Sequence, residues 1–282
     1  MSGASATGGW RLDRAYDFSG GKVAYGVVGD GPPVVLVHGT PSWSYLWRDV
    51  VRRLSERWTV YAYDLLGYGS SDKHEGQDVS IPAQTELLVE LLDHWGLESP
   101  FVTGHDIGAA ITLRALLLRD AGYRRLALVD AVAIAPWITP LSRHVKRYLE
   151  AYQTMPEHAY RHVLATHLRS AIHKEMDDAA LAPYLSPWLG EVGQRAYYRQ
   201  VARFDERHTT EVEPLYGSID LPVLVLWGEQ DGWLHPSFGE RLRASIPGAR
   251  LQTVPEAGHF AMEDRPEEIA AALDRFFGEE RG

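Results

Sequence analysis

Five consecutive residues, Gly104-His105-Asp106-Ile107-Gly108, constrain this chain more than any other stretch. They separate a short apolar run (100–103) from a long apolar-periodic one (107–118). That order predicts strand, tight turn and helix, and a glycine on each side lets the backbone turn sharply without side-chain clash. The central side chain is then presented at a helix N-terminus, and here it is a carboxylate. The plain use of Asp in such a place is to cap the helix by accepting N–H bonds. The paired glycines and the strand before them favour a presented nucleophile instead.

The rest of the chain repeats the strand-then-motif order. His38-Gly39-Thr40-Pro41 follows the apolar run 33–37, Asp64 to Ser71 follows 58–63, Gly228-Glu229-Gln230-Asp231 ends 222–227, and Gly258-His259-Phe260 follows 250–254. Residues 10–18 and 22–28 read as a hairpin. Between the strands, 44–55 has helical spacing, and Leu87, Leu88, Leu91, Leu92 and Trp95 share one face of a helix ending at Gly96. Strands alternating with helices imply an α/β class with right-handed crossovers and a mainly parallel sheet. Reactive groups then collect at the carboxyl ends of the strands. The alternation fails over 136–217, where 137–149, 156–170, 177–181 and 190–205 read as helices without a strand. The expected division is a core of 1–135 and 218–282 with an inserted helical cap at 136–217.

Composition removes several function classes. At 282 residues, 45% hydrophobic and 23% charged, the chain reads as a globular protein around one core. A net charge of −10 argues against a nucleic-acid surface, which needs clustered Lys and Arg. With no cysteine, disulfides, thiolate metal sites and a Cys nucleophile are excluded. Met1–Gly9 lacks the basic and apolar segments of a signal peptide, and no apolar run approaches a membrane span. A cytoplasmic location, no membrane association, and no metal or organic cofactor are expected. Oligomeric state is not readable.

In this order the motifs resemble the α/β-hydrolase superfamily over nearly the whole chain. The Asp elbow, together with the run from His38 to Arg48, resembles the haloalkane dehalogenase and epoxide hydrolase branch, where the esterases of the superfamily carry Ser. The substitution has a chemical reason. A carboxylate attacking an ester would only form an anhydride, whereas at an sp³ carbon bearing a halide or epoxide oxygen it forms a stable alkyl ester. That ester must be hydrolysed. His259 is the expected general base for the attacking water, and the N–H groups of Thr40 and Ile107 are the expected oxyanion donors. Asp231 is the expected acid behind His259. Asp130, after the strand 124–129, is its rival, because one group of haloalkane dehalogenases carries the acid there; its plainer use is to bind loop amides. His38 is expected to brace its loop and His105 to pack.

The leaving group decides the substrate. Dehalogenases of the branch usually place a Trp after the nucleophile, and one group has Asn after His-Gly; this chain has Ile107 and Thr40. Epoxide hydrolases of the branch protonate the opening ring from two cap tyrosines. Ala196-Tyr197-Tyr198-Arg199-Gln200 resembles the segment that would supply Tyr198, and Ala151-Tyr152-Gln153 would supply Tyr152. Trp43, Trp137, Trp188 and Trp233 are expected to line an apolar pocket or to offer halide donors. The expectation is therefore hydrolysis of a small apolar or amphipathic epoxide to a diol, with water as co-substrate. Haloalkane dehalogenation is the alternative, and a non-catalytic small-molecule binder on the same fold a further one.

Overall fold

The computed structural model describes residues 10–279, so the reading of Met1–Gly9 falls outside the described residues. Eight strands form one sheet in the order β1-β2-β4-β3-β5-β6-β7-β8. The hairpin β1 (Arg14–Phe18) and β2 (Gly21–Val28) is antiparallel and joins the sheet antiparallel to β4 (Thr59–Tyr63). From β4 onward every neighbouring pair is parallel, through β3 (Pro33–Val37), β5 (Phe101–His105), β6 (Arg125–Val129), β7 (Val223–Gly228) and β8 (Arg250–Val254). Every residue of β5, β6 and β7 is buried, so these strands are mainly apolar on both faces and show no in–out alternation.

Helices α1 (Arg48–Leu54), α2 (Ile81–His94) and α3 (Ile107–Leu118) connect the central strands. A 3₁₀ turn over Ser44–Trp47 precedes α1, so one predicted helix becomes two pieces. The chain runs from β3 outward to β4, then crosses back to β5 on the other side of β3. That reversal puts the carboxyl ends of β3 and β5 side by side at a topological switch point, where open α/β sheets leave a crevice.

Between β6 and β7 the chain leaves the sheet for a helical insert: α4 (Pro140–Arg147), α5 (Leu149–Gln153), α6 (Glu157–Arg169), α7 (Asp178–Leu185), α8 (Gly190–Ala202) and α9 (Arg207–Thr210). It is clamped over the strand ends by named bonds. Trp188 Nε1 donates to the Pro41 carbonyl at 2.8 Å, and Trp43 Nε1 to the Pro183 carbonyl at 3.1 Å. The last core helices are α10 (Ser237–Ser245), α11 (Ala261–Asp264) and α12 (Pro266–Gly278). The buried carboxylate of Asp264, at the end of α11, accepts the N–H groups of His173 and Lys174 in the insert (2.8 and 2.9 Å) and of Gly258 beside His259 (2.8 Å). Among the described residues no helix is long and apolar enough to cross a membrane.

Candidate active site

Asp106 stands between β5 and α3 with φ 52° and ψ −124°, a backbone conformation that L side chains rarely adopt. Close packing explains its glycines. A Cβ on Gly104 would lie 2.6 Å from the Gly108 carbonyl oxygen, and one on Gly108 would lie 2.5 Å from that of Val37. Its carboxylate is directed, not free. Oδ1 accepts the Thr40 N–H at 2.7 Å, while Oδ2 lies 3.4 Å from Nε2 of His259. The Thr40–Pro41 peptide is cis. Ile107 opens α3, so its N–H has no helical carbonyl to bind.

His259 is fully buried and its Nδ1 lies 2.9 Å from Asp231 Oδ2. The other Asp231 oxygen accepts the N–H groups of Trp233 and Leu234 at 2.8 and 2.9 Å, which fixes the carboxylate. Burial alone would lower the His259 pKa, but the Asp231 and Asp106 carboxylates outweigh it and hold the pKa well above 6.5. Asp130 is placed differently. Its Oδ1 accepts the Gly228 N–H at 2.8 Å, Oδ2 is buried without a partner, and burial followed by the nearby Asp231 charge raises its pKa well above the usual range. Asp231, not Asp130, is the carboxylate that touches His259.

Two further histidines brace this arrangement. His38 Nε2 accepts the Leu65 N–H at 2.9 Å, which leaves Nδ1–H to donate to the Gly39 carbonyl. His105 Nε2 donates to the His259 carbonyl at 3.0 Å, tying the elbow strand to the loop of the imidazole. Burial lowers the pKa of both, that of His105 to about 3, so both rings are neutral.

A small cavity of about 50 Å³ opens in front of Asp106 and His259. On that scale one water occupies about 10–15 Å³, so there is room for a molecule of a few heavy atoms. Of the residues expected there, Thr40, Ile107, Trp137 and Trp233 line it. Four others do not. Tyr198 is turned into a packed ring cluster with Tyr152 and Tyr160, at centroid distances of 5.3 and 5.5 Å, which corrects the expectation that Tyr198 and Tyr152 face the nucleophile. Trp43 and Trp188 spend their N–H groups on the clamp bonds described above, which likewise corrects their placement in the pocket. Trp137 Nε1 donates to Thr209 and Trp233 Nε1 to Ser170, both at 3.0 Å, so none of the four indoles has a free N–H for a halide.

Two titratable lining residues went unnoticed in the sequence. Tyr197 belongs to the motif that nominated Tyr198, but successive helix residues point about 100° apart, and it is Tyr197 that lines the cavity. His167, on α6, has no flanking motif that could have distinguished it from the other histidines. Among the described residues no group of three or more His, Asp or Glu is arranged to hold a metal ion.

Comparison with known proteins shows the fold family. The sequence pattern of the alpha/beta hydrolase fold matches residues 32–266. Haloalkane dehalogenase 2 of Mycobacterium tuberculosis (strain ATCC 25618 / H37Rv) is 28% identical over 277 residues, 94% of each chain. A cis-3-alkyl-4-alkyloxetan-2-one decarboxylase of Xanthomonas campestris pv. campestris is 25% identical over 270 residues, 88% of each. The crystal structure of an alpha/beta hydrolase fold protein from Burkholderia ambifaria superposes with a TM-score of 0.91 at 40% identity, covering 94% of this chain and 97% of that one.

Proposed function

The chain belongs to the alpha/beta hydrolase family, and from that premise we propose that it hydrolyses a carbon–halogen bond in a small uncharged haloalkane through an alkyl ester on Asp106. The observation that carries this reading is a carboxylate at the elbow, where the esterases place a hydroxyl, with Oδ2 3.4 Å from a buried imidazole anchored by Asp231. In the first step Asp106 Oδ2 forms a bond to the carbon and the halide leaves with the electron pair of the broken bond. In the second, a water gives its proton to His259 Nε2 and attacks Cγ of the ester. The charge that develops on Oδ1 meets the N–H of Thr40, already in place, and that of Ile107. Collapse expels the alkoxide, which takes the proton from His259 to leave as the alcohol, and the regenerated Asp106 carboxyl releases its remaining proton to solvent, the counterpart of the halide released in the first step.

The pKa of His259 gives the two steps their order. Before reaction the negative Asp106 helps to keep the imidazole protonated. Esterification removes that charge, so the His259 pKa falls and the ring becomes a better base at the stage when there is an ester to hydrolyse, with Asp231 still holding Nδ1. The lining of the cavity contains no Lys or Arg. With Asp106 as its anion, an uncharged substrate is favoured over a carboxylate.

The order of leaving groups differs from the sequence expectation, which put the epoxide first. Tyr198 and Tyr152, the residues that supported it, lie outside the cavity, and a relative along nearly the whole chain is a haloalkane dehalogenase. Epoxide opening remains the second reading because Tyr197 lines the cavity with no hydrogen-bond partner for its hydroxyl among the described residues. Replacing His259 with Gln blocks the second step. Incubated with haloalkanes and epoxides, that variant is expected to gain the alkyl mass on the peptide containing Asp106 from haloalkanes, and the wild type to release halide. Adducts from epoxides alone would establish the second reading, and no adduct from either panel would remove both.

A further inference from the structure

We propose that His167, carried by α6 of the insert, is the side chain that receives the departing halide. The inference rests on the proposed carbon–halogen chemistry and asks which group stabilises the anion it generates. A halide leaving in line with Asp106 Oδ2 must exit on the far side of the carbon, toward the insert and not toward the sheet. In a cavity of about 50 Å³ that far wall is close.

The usual donor chemistry is absent from it. All four tryptophans near the site have committed their N–H groups to Pro183, Thr209, Pro41 and Ser170. Thr139 and Ser142, which also line the cavity, bond to each other at 3.0 Å, which engages one of their two hydroxyl protons. Besides the other of those protons and the Thr40 hydroxyl, whose residue sits beside the nucleophile, the lining side-chain donors are the Tyr197 hydroxyl and the His167 ring, neither of whose nitrogens has a hydrogen bond among the described residues.

His167 is the better placed for an anion leaving the site. It lines both the inner cavity and an adjoining basin of about 440 Å³, together with Trp137, Thr139, Trp233 and Leu234. A halide held there sits on its exit path. The ring is also held rigidly. It stacks on Trp233 with centroids 4.3 Å apart and planes 7° from parallel, and Trp233 in turn packs on His259 at 4.9 Å. Ser170 closes the arrangement, accepting the Trp233 N–H while its hydroxyl donates to the His167 carbonyl. Burial, with the neighbouring His259 adding to it, lowers the His167 pKa to about 4, so the ring carries one N–H and no charge. It therefore binds an anion by a hydrogen bond. No proton moves: the electron pair of the carbon–halogen bond leaves with the halide, and the N–H offsets its charge.

The test uses the His259→Gln background, in which ester formation is isolated from hydrolysis. His167→Phe keeps the stack on Trp233 and removes the donor; His167→Gln keeps a donor. Single-turnover ester formation, followed by mass, is expected to slow about 10- to 100-fold in the Phe variant, the range for a lost hydrogen bond to a charged group. The loss should be larger for chloride than for iodide, the better leaving group, and the Gln variant should recover most of the rate. Equal rates for His167→Phe and its parent would overturn the assignment, as would a leaving-group-dependent loss that follows Tyr197→Phe instead. If the parent itself forms no ester with any haloalkane, the proposed function fails first, and that result is distinct from a donor that does not matter.

Discussion

Asp106 owes its position to what is missing opposite it. The Cα of Gly39 comes so close that a Cβ there would lie 2.3 Å from the Asp106 Cβ and 2.5 Å from its Oδ1. No rotamer change of Asp106 clears the first of these contacts, so the backbone of one loop must move. Gly39→Ala is expected to destabilise the fold by about 1–3 kcal/mol, as overpacking does. Because the Thr40 N–H moves with it, ester hydrolysis should slow by more than about 100-fold, the scale for a lost oxyanion donor. Urea unfolding and the single-turnover decay of the alkyl ester read the two effects separately. An Ala variant with wild-type ester hydrolysis would mean that the Thr40 N–H is not an oxyanion donor. The chemistry of this residue was legible because an Asp between two glycines at a strand–helix turn has few other uses. The side of the cavity was not: Tyr197 and Tyr198 are the same residue type one position apart, and only the packing of α8 against its neighbours decides which one lines the cavity.

At the scale of elements, the informative contrast is between sheet and insert. The range 107–118 reads as a helix and is α3 residue for residue, because its neighbours in sequence are also its neighbours in space. The insert depends on docking that no local pattern announces. Asp264 shows this best. Its position at the end of a four-residue helix suggests an exposed acid, yet it is buried and accepts three N–H groups from two separate parts of the chain. Asp264→Ala leaves those donors unsatisfied and is expected to cost about 2–5 kcal/mol, measured as a lower urea midpoint. Since Gly258 precedes the imidazole, ester hydrolysis should slow more than ester formation. Equal slowing of both steps would mean that Asp264 only holds the fold together.

Over the whole molecule, buried neutral histidines govern behaviour in acid. An unfolded histidine takes up its proton near 6.5, whereas in the folded protein burial holds His167 neutral down to about 4 and His105 to about 3, and lowers His38 as well. Between those values the unfolded chain binds more protons, so stability falls as the pH falls from about 6.5 and levels off below about 3. His259 has the opposite sign. Its raised pKa contributes stability that is complete below 6.5 and lost as the pH rises through the folded value. Urea midpoints taken from pH 7 to pH 4 should therefore decline. His105→Gln, whose amide can still donate to the His259 carbonyl, should flatten the slope by up to about 1.4 kcal/mol per pH unit. An unchanged slope would mean that His105 is protonated in the fold.

The three bonds of Asp264 also bear on how such proteins diverge. An insert that merely sat on the strand ends could be exchanged between relatives as a cassette, each bringing a new substrate range. Here the segment at His173 and Lys174 and the loop of His259 share one carboxylate. Recombination at the two ends of the insert would join foreign backbone to that acid and shift the base. A productive exchange has to carry 173–174, 258–259 and Asp264 as one block, although they are some ninety residues apart along the chain.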